Sequence, residues 1–343
     1  MTSLSGQSNV NAALPLTLNG AVAEWLGAGR QVAEAIVIEA TGAAPVPIGG
    51  RMIIAGEEDF QGSVSGGCVE ADVIAAALDV MAFGKPDTMT FGIGDEVAWR
   101  SGLPCGSTIR VYIRPLNDHN ATLFTEASAA VSRDRQPRVI ATSLIDGSST
   151  AYTDGAGAPA GVADVFKSGT SKLAVTSAGE TFLHALTPPP RIVVIGATHI
   201  AQVLQQMATA IGYDLVIIDP RSAFTSTTRF GAQTAITGWP ESNLSAFAND
   251  NYTAIVTLTH VGHIDDDALK IALRANCRYI GALGSRRTHA ARVDRLKAAG
   301  FKDAELARIQ APVGLDIGGR APGEIAVSIL GQIVAAFNGK LGT

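Results

Sequence analysis

Apolar positions at helical spacing (Leu18, Val22, Trp25, Leu26) predict a first helix over 17–28, with Gly27 and Gly29 as stop signals. Residues 31–40 and 51–55 read as strands separated by a Gly/Pro turn. A helix follows over 69–83 and breaks at Gly84, and 88–91 reads as a short strand. Over 107–115, Ile109, Val111 and Ile113 alternate with Arg110, Tyr112 and Arg114, which predicts a strand. A helix over 121–133 and strands over 138–143 and 180–186 continue the mixed pattern. The Gly-, Ala- and Ser-rich stretch 146–170 predicts turns or a mobile insertion, and the irregular stretch 92–106 predicts a binding loop.

Thr187 followed by Pro188, Pro189 and Pro190 marks a boundary, because consecutive prolines stiffen a linker and exclude helix before them. The expected organisation is an N-terminal α/β domain over 1–186, a linker over 187–190 and a C-terminal domain over 191–343. In the latter, strands over 191–195, 214–218, 253–258 and 279–282 alternate with helices over 199–211, 265–274 and 286–299. A closing helix over 322–337 starts with Pro322 and Glu324. That order predicts a Rossmann-like, doubly wound parallel sheet with helices on both faces.

With 26 Lys and Arg against 31 Asp and Glu, the chain lacks the basic footprint of a nucleic-acid binder. No cationic start precedes an apolar run, and no stretch reaches the ~18 apolar residues of a membrane span. Three cysteines, Cys68, Cys105 and Cys277, are too few and odd in number for a disulfide scaffold, so a reducing cytoplasm is expected. Cys277 reads as a core residue.

The turn at Ser65-Gly66-Gly67-Cys68, leading into a helix, concentrates the candidate chemistry of the first half. Gly66 and Gly67 permit φ > 0 and close approach of another group. A thiol at a helix start faces free N–H groups, a setting that favours the thiolate, the form that binds metals and attacks electrophiles. A structural cysteine buried at a tight turn is the plain alternative. A second Gly-flanked cysteine, Cys105 in Gly102-Leu-Pro-Cys105-Gly106, favours the chemical reading.

In the second half, Gly196-Ala-Thr-His-Ile-Ala201 stands between strand and helix, where a dinucleotide-binding turn stands. Thr198 replaces its second glycine, and either offers a hydroxyl to phosphate or blocks the site. Asp219 lies near the roughly 20-residue spacing of a ribose-binding acid, and Arg221 suits a 2′-phosphate or another anion. His260 and His263, followed by Asp265, Asp266 and Asp267, invite a metal reading; Asp265 is as well explained as a helix cap, and His260 as a hydrogen-bonding or proton-transferring group. Ser285 and Arg286 open a further helix, either capturing an anion or forming a solvated pair.

These segments together resemble the XdhC/CoxI family, the xanthine dehydrogenase accessory factors. The matching positions are Ser65 to Glu70, Leu103-Pro-Cys105-Gly106, Ile195 to Ala201, Asp219-Pro-Arg221, Thr259-His260, Tyr279 to Arg287, and Pro312 to Gly318 with Glu324 to Ser328. The resemblance spans both halves. It implies a chaperone that binds the molybdenum cofactor, as molybdopterin or its dinucleotide form, aids its sulfuration with a cysteine desulfurase, and inserts it into an apo molybdenum hydroxylase. Cys68 and Cys105 would then contact molybdenum. Gly66, Gly67, Glu70, Gly196, Thr198, His199, Asp219, Arg221, His260, Ser285 and Arg286 would contact the rest of the cofactor. A homodimer is a further expectation. Thr198 departs from the family's Gly-Ala-Gly-His turn and Ser107 from its Cys-Gly-Gly loop, and the first departure counts against NAD(P). Two other functions compete: an NAD(P)-dependent oxidoreductase using His260 or Cys68, and a scaffold whose cysteines are inert.

Overall fold

A computed structural model describes residues 14–92, 107–176, 179–231 and 234–341. The chain forms two compact units, Met1–Pro188 and Pro189–Thr343. Cys105 and the loop predicted around it lie outside the described residues.

The first unit holds two antiparallel sheets. One is built from β1 (Val32–Thr41), β2 (Arg51–Ile54), β3 (Phe60–Gly62), β4 (Asp87–Phe91) and β5 (Thr108–Leu116), in the order β3-β2-β1-β5-β4. After helix α1 (Leu14–Gly27), helix α2 (Glu70–Phe83) buries Val73, Ala77, Val80 and Met81 against Ala33, Ala35, Val37, Val111 and Ile113 of this sheet. Gly84 ends α2 in the left-handed conformation, the usual glycine stop. The second sheet is built from β6 (Arg138–Ser143), β7 (Ser149–Tyr152), β8 (Lys172–Thr176) and β9 (Gly179–Leu186), in the order β7-β6-β9-β8. Helix α3 (Asp118–Asp134) precedes it, capped by the Asn117 side-chain oxygen accepting from the Asn120 amide.

One expectation changes here. The 146–170 stretch is not a bare insertion: it supplies β7 and the short helix α4 (Val162–Ser168), whose Val162 and Val165 pack under Val139 and Leu183. The polar-lettered face of β5 is covered by the second sheet. Tyr112 packs with Ile36, Ile38 and Phe182, and Arg114 is almost fully buried. Arg114 is tolerated there because Glu34 of β1 accepts from it and from Arg51, and the Gly147 carbonyl and Ser149 hydroxyl accept from its Nη1. Burial alone would raise the Glu34 pKa, but the two guanidiniums bring it to about 2.

The second unit is one parallel sheet. Its strands are β10 (Arg191–Ile195), β11 (Asp214–Asp219), β12 (Ala235–Thr237), β13 (Thr253–Thr257), β14 (Tyr279–Ala282) and β15 (Ile309–Gln310). They lie in the order β12-β11-β10-β13-β14-β15. Helices α5 (His199–Ala210) and α8 (Pro322–Phe337) pack one face, and α6 (Gly262–Arg274) and α7 (Arg286–Ala298) the other. Central strands buried on both faces require the continuous apolar runs seen in the sequence. This is the Rossmann arrangement, and its strand order reverses between β10 and β13, where ligands enter at the carboxyl edge. Cys277 lies in the core beneath α6. No helix among the described residues is long and apolar enough to cross a membrane.

Candidate functional site

In the first unit the Ser63–Glu70 turn is built around one carboxylate. Glu70 opens α2 and folds back over the turn. Its Oε1 accepts the Ser63 hydroxyl (2.5 Å) and the amides of Val64 and Ser65. Its Oε2 accepts the Ser65 hydroxyl (2.5 Å) and the amides of Gly67 and Val69. The Ser65 oxygen in turn accepts the amides of Cys68 and Val69, and the Ser63 oxygen that of Gly66. Gly66 and Gly67 have φ of 78° and 108°, which is why glycine stands there. Burial would raise the Glu70 pKa, but the hydrogen bonds from Ser63 and Ser65 bring it to about 2.

This corrects the expectation of free N–H groups around Cys68: Ser65 and Glu70 already bind them. Both Glu70 oxygens are engaged in holding the turn. What the turn offers outward is the Cys68 side chain, which is exposed, whereas Cys277 is buried.

The carboxyl edge of the second unit gathers Gly196, Thr198, His199, Asp219, Arg221, His260, Ser285 and Arg286. Gly196 has φ 114°, and a Cβ there would lie 2.9 Å from both the amide nitrogen and Cγ2 of Thr259. The Thr198 hydroxyl caps α5 by accepting from Ala201 (3.3 Å), so it serves the helix instead of replacing the missing glycine. His199 is exposed, with Nδ1 3.3 Å from Gln202 Oε1.

Asp219 is buried, and its carboxylate accepts the amides of Ala197 and Arg221 and two N–H groups of the Arg221 guanidinium. Burial works to raise its pKa, yet these bonds, led by Arg221, hold it below the usual range. The expected ribose-binding acid is therefore engaged within the protein. Arg221 is committed to Asp219 and lies 4.0 Å over the Phe224 ring.

His260 is exposed and adopts φ 59°, a left-handed conformation uncommon for a residue with a side chain. Val261, not Asp265, takes the cap position of α6, and Asp265 lies buried in its first turn. Among the described residues no three His, Cys, Asp or Glu converge to hold a metal ion, so the His260/His263 spacing forms no such centre. Ser285 caps α7 by accepting from Thr288 (3.1 Å), and Arg286 beside it is exposed. No local pattern pointed to Arg292, which is buried behind this edge.

Each of these two clusters falls in a region with known relatives. Residues 25–92 match the XdhC and CoxI family, and residues 192–333 match the XdhC Rossmann domain. The two matches together span more than half of the chain and include both turns.

The chain belongs to the XdhC and CoxI family.

Relatives of this XdhC/CoxI chain include the molybdenum cofactor insertion chaperone PaoD of Escherichia coli (strain K12). It is 27% identical over 315 residues, covering 91% of this chain and 85% of that one. A probable xanthine dehydrogenase subunit of Bacillus subtilis (strain 168) is 27% identical over 316 residues, covering 88% and 91%. A crystal structure described as a xanthine dehydrogenase from Bacillus halodurans superposes with a TM-score of 0.71 at 22% identity, over 96% of this chain and 97% of that one. The fold is thus shared over 96% of the chain, with parts of both units included.

Proposed function

We propose that this protein is a chaperone for the molybdenum cofactor. It takes up the pterin-held metal as cargo and inserts it into an apo molybdenum hydroxylase of the xanthine dehydrogenase type. The observation that carries this reading is Cys68: an exposed thiol on a turn whose amides are satisfied internally. A turn fixed in this way does not have to order itself when cargo arrives, and it offers a single soft donor. Thiolates suit soft, sulfur-ligated metals, and one protein ligand beside the cofactor's own dithiolene is weak enough to let go. The near full-length likeness to a named insertion chaperone supports the same reading.

In this proposal either Cys68 or Cys105 completes the coordination of molybdenum, one thiol at a time. Taken by itself, the edge of the second unit bearing Gly196, His199, His260, Ser285 and Arg286 suits a phosphate or nucleotide group, through first-turn amides and the Arg286 guanidinium. Sulfuration would draw on a cysteine desulfurase, and the work would take place in the reducing cytoplasm.

The test is anaerobic incubation with released cofactor, followed by molybdenum content and pterin fluorescence of the wild type, Cys68→Ala and Cys105→Ala. Near-stoichiometric loading that drops when Cys68 is removed is expected. A wild type that carries neither metal nor pterin would overturn the proposal.

A further inference from the structure

Behind the carboxyl edge of the Rossmann unit, three turns meet a single line of buried polar groups. The first link is steric: Thr259 lies so close to Gly196 that no larger residue fits there (2.9 Å to an added Cβ). The second is the Thr259 hydroxyl, which accepts the Val261 amide (2.9 Å) and donates to Asp265 Oδ1 (2.6 Å). It therefore closes a ring around His260, binding the residue after it while belonging to the residue before it. The third is Arg292 of α7, whose Nη2 lies 3.7 Å from Asp265 Oδ2 and donates to the Leu283 carbonyl (3.1 Å), two residues before Ser285.

Thr259, Asp265 and Arg292 are each more than nine-tenths buried. Burial pushes the Asp265 carboxyl up, with the Thr259 hydroxyl and Arg292 opposing that rise, and pushes Arg292 down. Two Arg292 nitrogens, Nε and Nη1, have no hydrogen-bond partner, and Nε lies 3.8 Å from Asp266 Oδ1 as a loose ion pair. A buried guanidinium with such incomplete pairing is weak evidence of stabilisation, because an apolar side chain of similar volume would fill the space at lower desolvation cost. What the guanidinium does that an apolar group cannot is hold a carboxylate and a carbonyl from two different turns in fixed relation.

We propose that Thr259, Asp265 and Arg292 are positioning residues. They form a buried line that sets the Gly196, His260 and Ser285 turns against one another and keeps His260 in its left-handed backbone conformation, ready for the ligand. This rests on the reading that the carboxyl edge receives part of the cofactor cargo.

The test uses the full chain with two readouts. The first is the backbone amide signal of His260 in labelled protein. It shifts or broadens in Thr259→Val and in Asp265→Asn, and returns to its wild-type position in Thr259→Ser, which restores the hydroxyl. An unmoved His260 signal in Thr259→Val overturns the proposal, and that variant carries this readout alone if Asp265→Asn does not fold. The second readout is cofactor uptake by pterin fluorescence. Thr259→Val weakens it about tenfold, the scale of one lost hydrogen bond. The double variant Thr259→Val/His260→Ala is then no weaker than His260→Ala. Losses that multiply in the double variant, or wild-type uptake in Thr259→Val beside weakened uptake in His260→Ala, also overturn it. If the wild type takes up no cofactor, the chaperone reading fails, and the His260 signal alone decides the positioning role.

Discussion

Arg221 donates to both carboxylate oxygens of Asp219, from Nε at 2.9 Å and from Nη2 at 2.6 Å. In dinucleotide-binding proteins of this fold an acid at this strand end takes the ribose hydroxyls. Here the same carboxylate also binds the Ala197 amide at 2.8 Å, so it closes the Gly196 turn from below.

Arg221→Ala returns two acceptor positions on Asp219 to solvent. NADH is expected to bind the variant more tightly than the wild type, by up to about tenfold, the scale of one hydrogen bond to a charged group. Equal fluorescence titrations for the two proteins would mean that the engaged carboxylate is not what limits nucleotide binding.

Gly196→Ala places a methyl group 2.9 Å from the Thr259 amide at φ 114°. Strain and overlap together should cost about 2–3 kcal/mol. The expected result is a melting temperature lower by several degrees, measured by circular dichroism. An unchanged Tm would show that the turn relaxes freely.

Glu70→Gln keeps the shape of the side chain and puts an NH₂ among groups that are all donors. With a Cys105→Ala background to single out Cys68, iodoacetamide should modify Cys68 several-fold faster than in the parent, because a negative charge bonded to the amides on either side of Cys68 is gone and the turn is looser. An identical rate would show that the carboxylate does not control the thiol's setting. The carboxyl is held at about 2 against an ordinary 4.5, so its contribution to the turn is complete above about pH 4.5 and fades as pH falls toward 2.

His184 is buried between the Phe124 and Phe182 rings, and burial first, then the Arg51 charge, takes its pKa from 6.5 to about 3. A histidine kept neutral in the fold takes up its proton only on unfolding. Stability is therefore full above pH 6.5 and falls by about 1.4 kcal/mol per pH unit below it, until pH reaches about 3. Denaturant titrations at pH 7.5, 6 and 5 measure that slope, and His184→Phe should flatten it. A wild-type slope of zero over this range would place the imidazole in contact with water.

Glu34→Gln leaves Arg51 and Arg114 facing each other with half their partner gone. Breaking a buried ion pair on one side costs about 3–5 kcal/mol. Loss of soluble protein, or a Tm drop of roughly ten degrees, is expected. A Tm within a degree or two of wild type would mean that water replaces the carboxylate there.

Much of this protein is readable along the chain. The period-two and helical runs, the glycines that accept left-handed backbone and the three consecutive prolines are local signals, and so the parallel-sheet unit, the Gly66-Gly67-Cys68 turn and the Gly196 turn are legible in order. Short elements such as β12 and β15 are not, because two or three residues carry no period and are strands only through their neighbours. What the tertiary structure alone decided is the destination of each polar side chain. Glu34 and Arg114 meet across 80 residues, and Arg292 reaches Asp265 from a different helix. Asp219 and Glu70 read as ligand contacts in the sequence, and Asp265 as a helix cap or part of a metal reading; in the fold all three are engaged by groups of the protein. The physical reason is that a backbone state is set mostly by a residue and its near neighbours, whereas a buried charge takes whichever partner packing brings within reach.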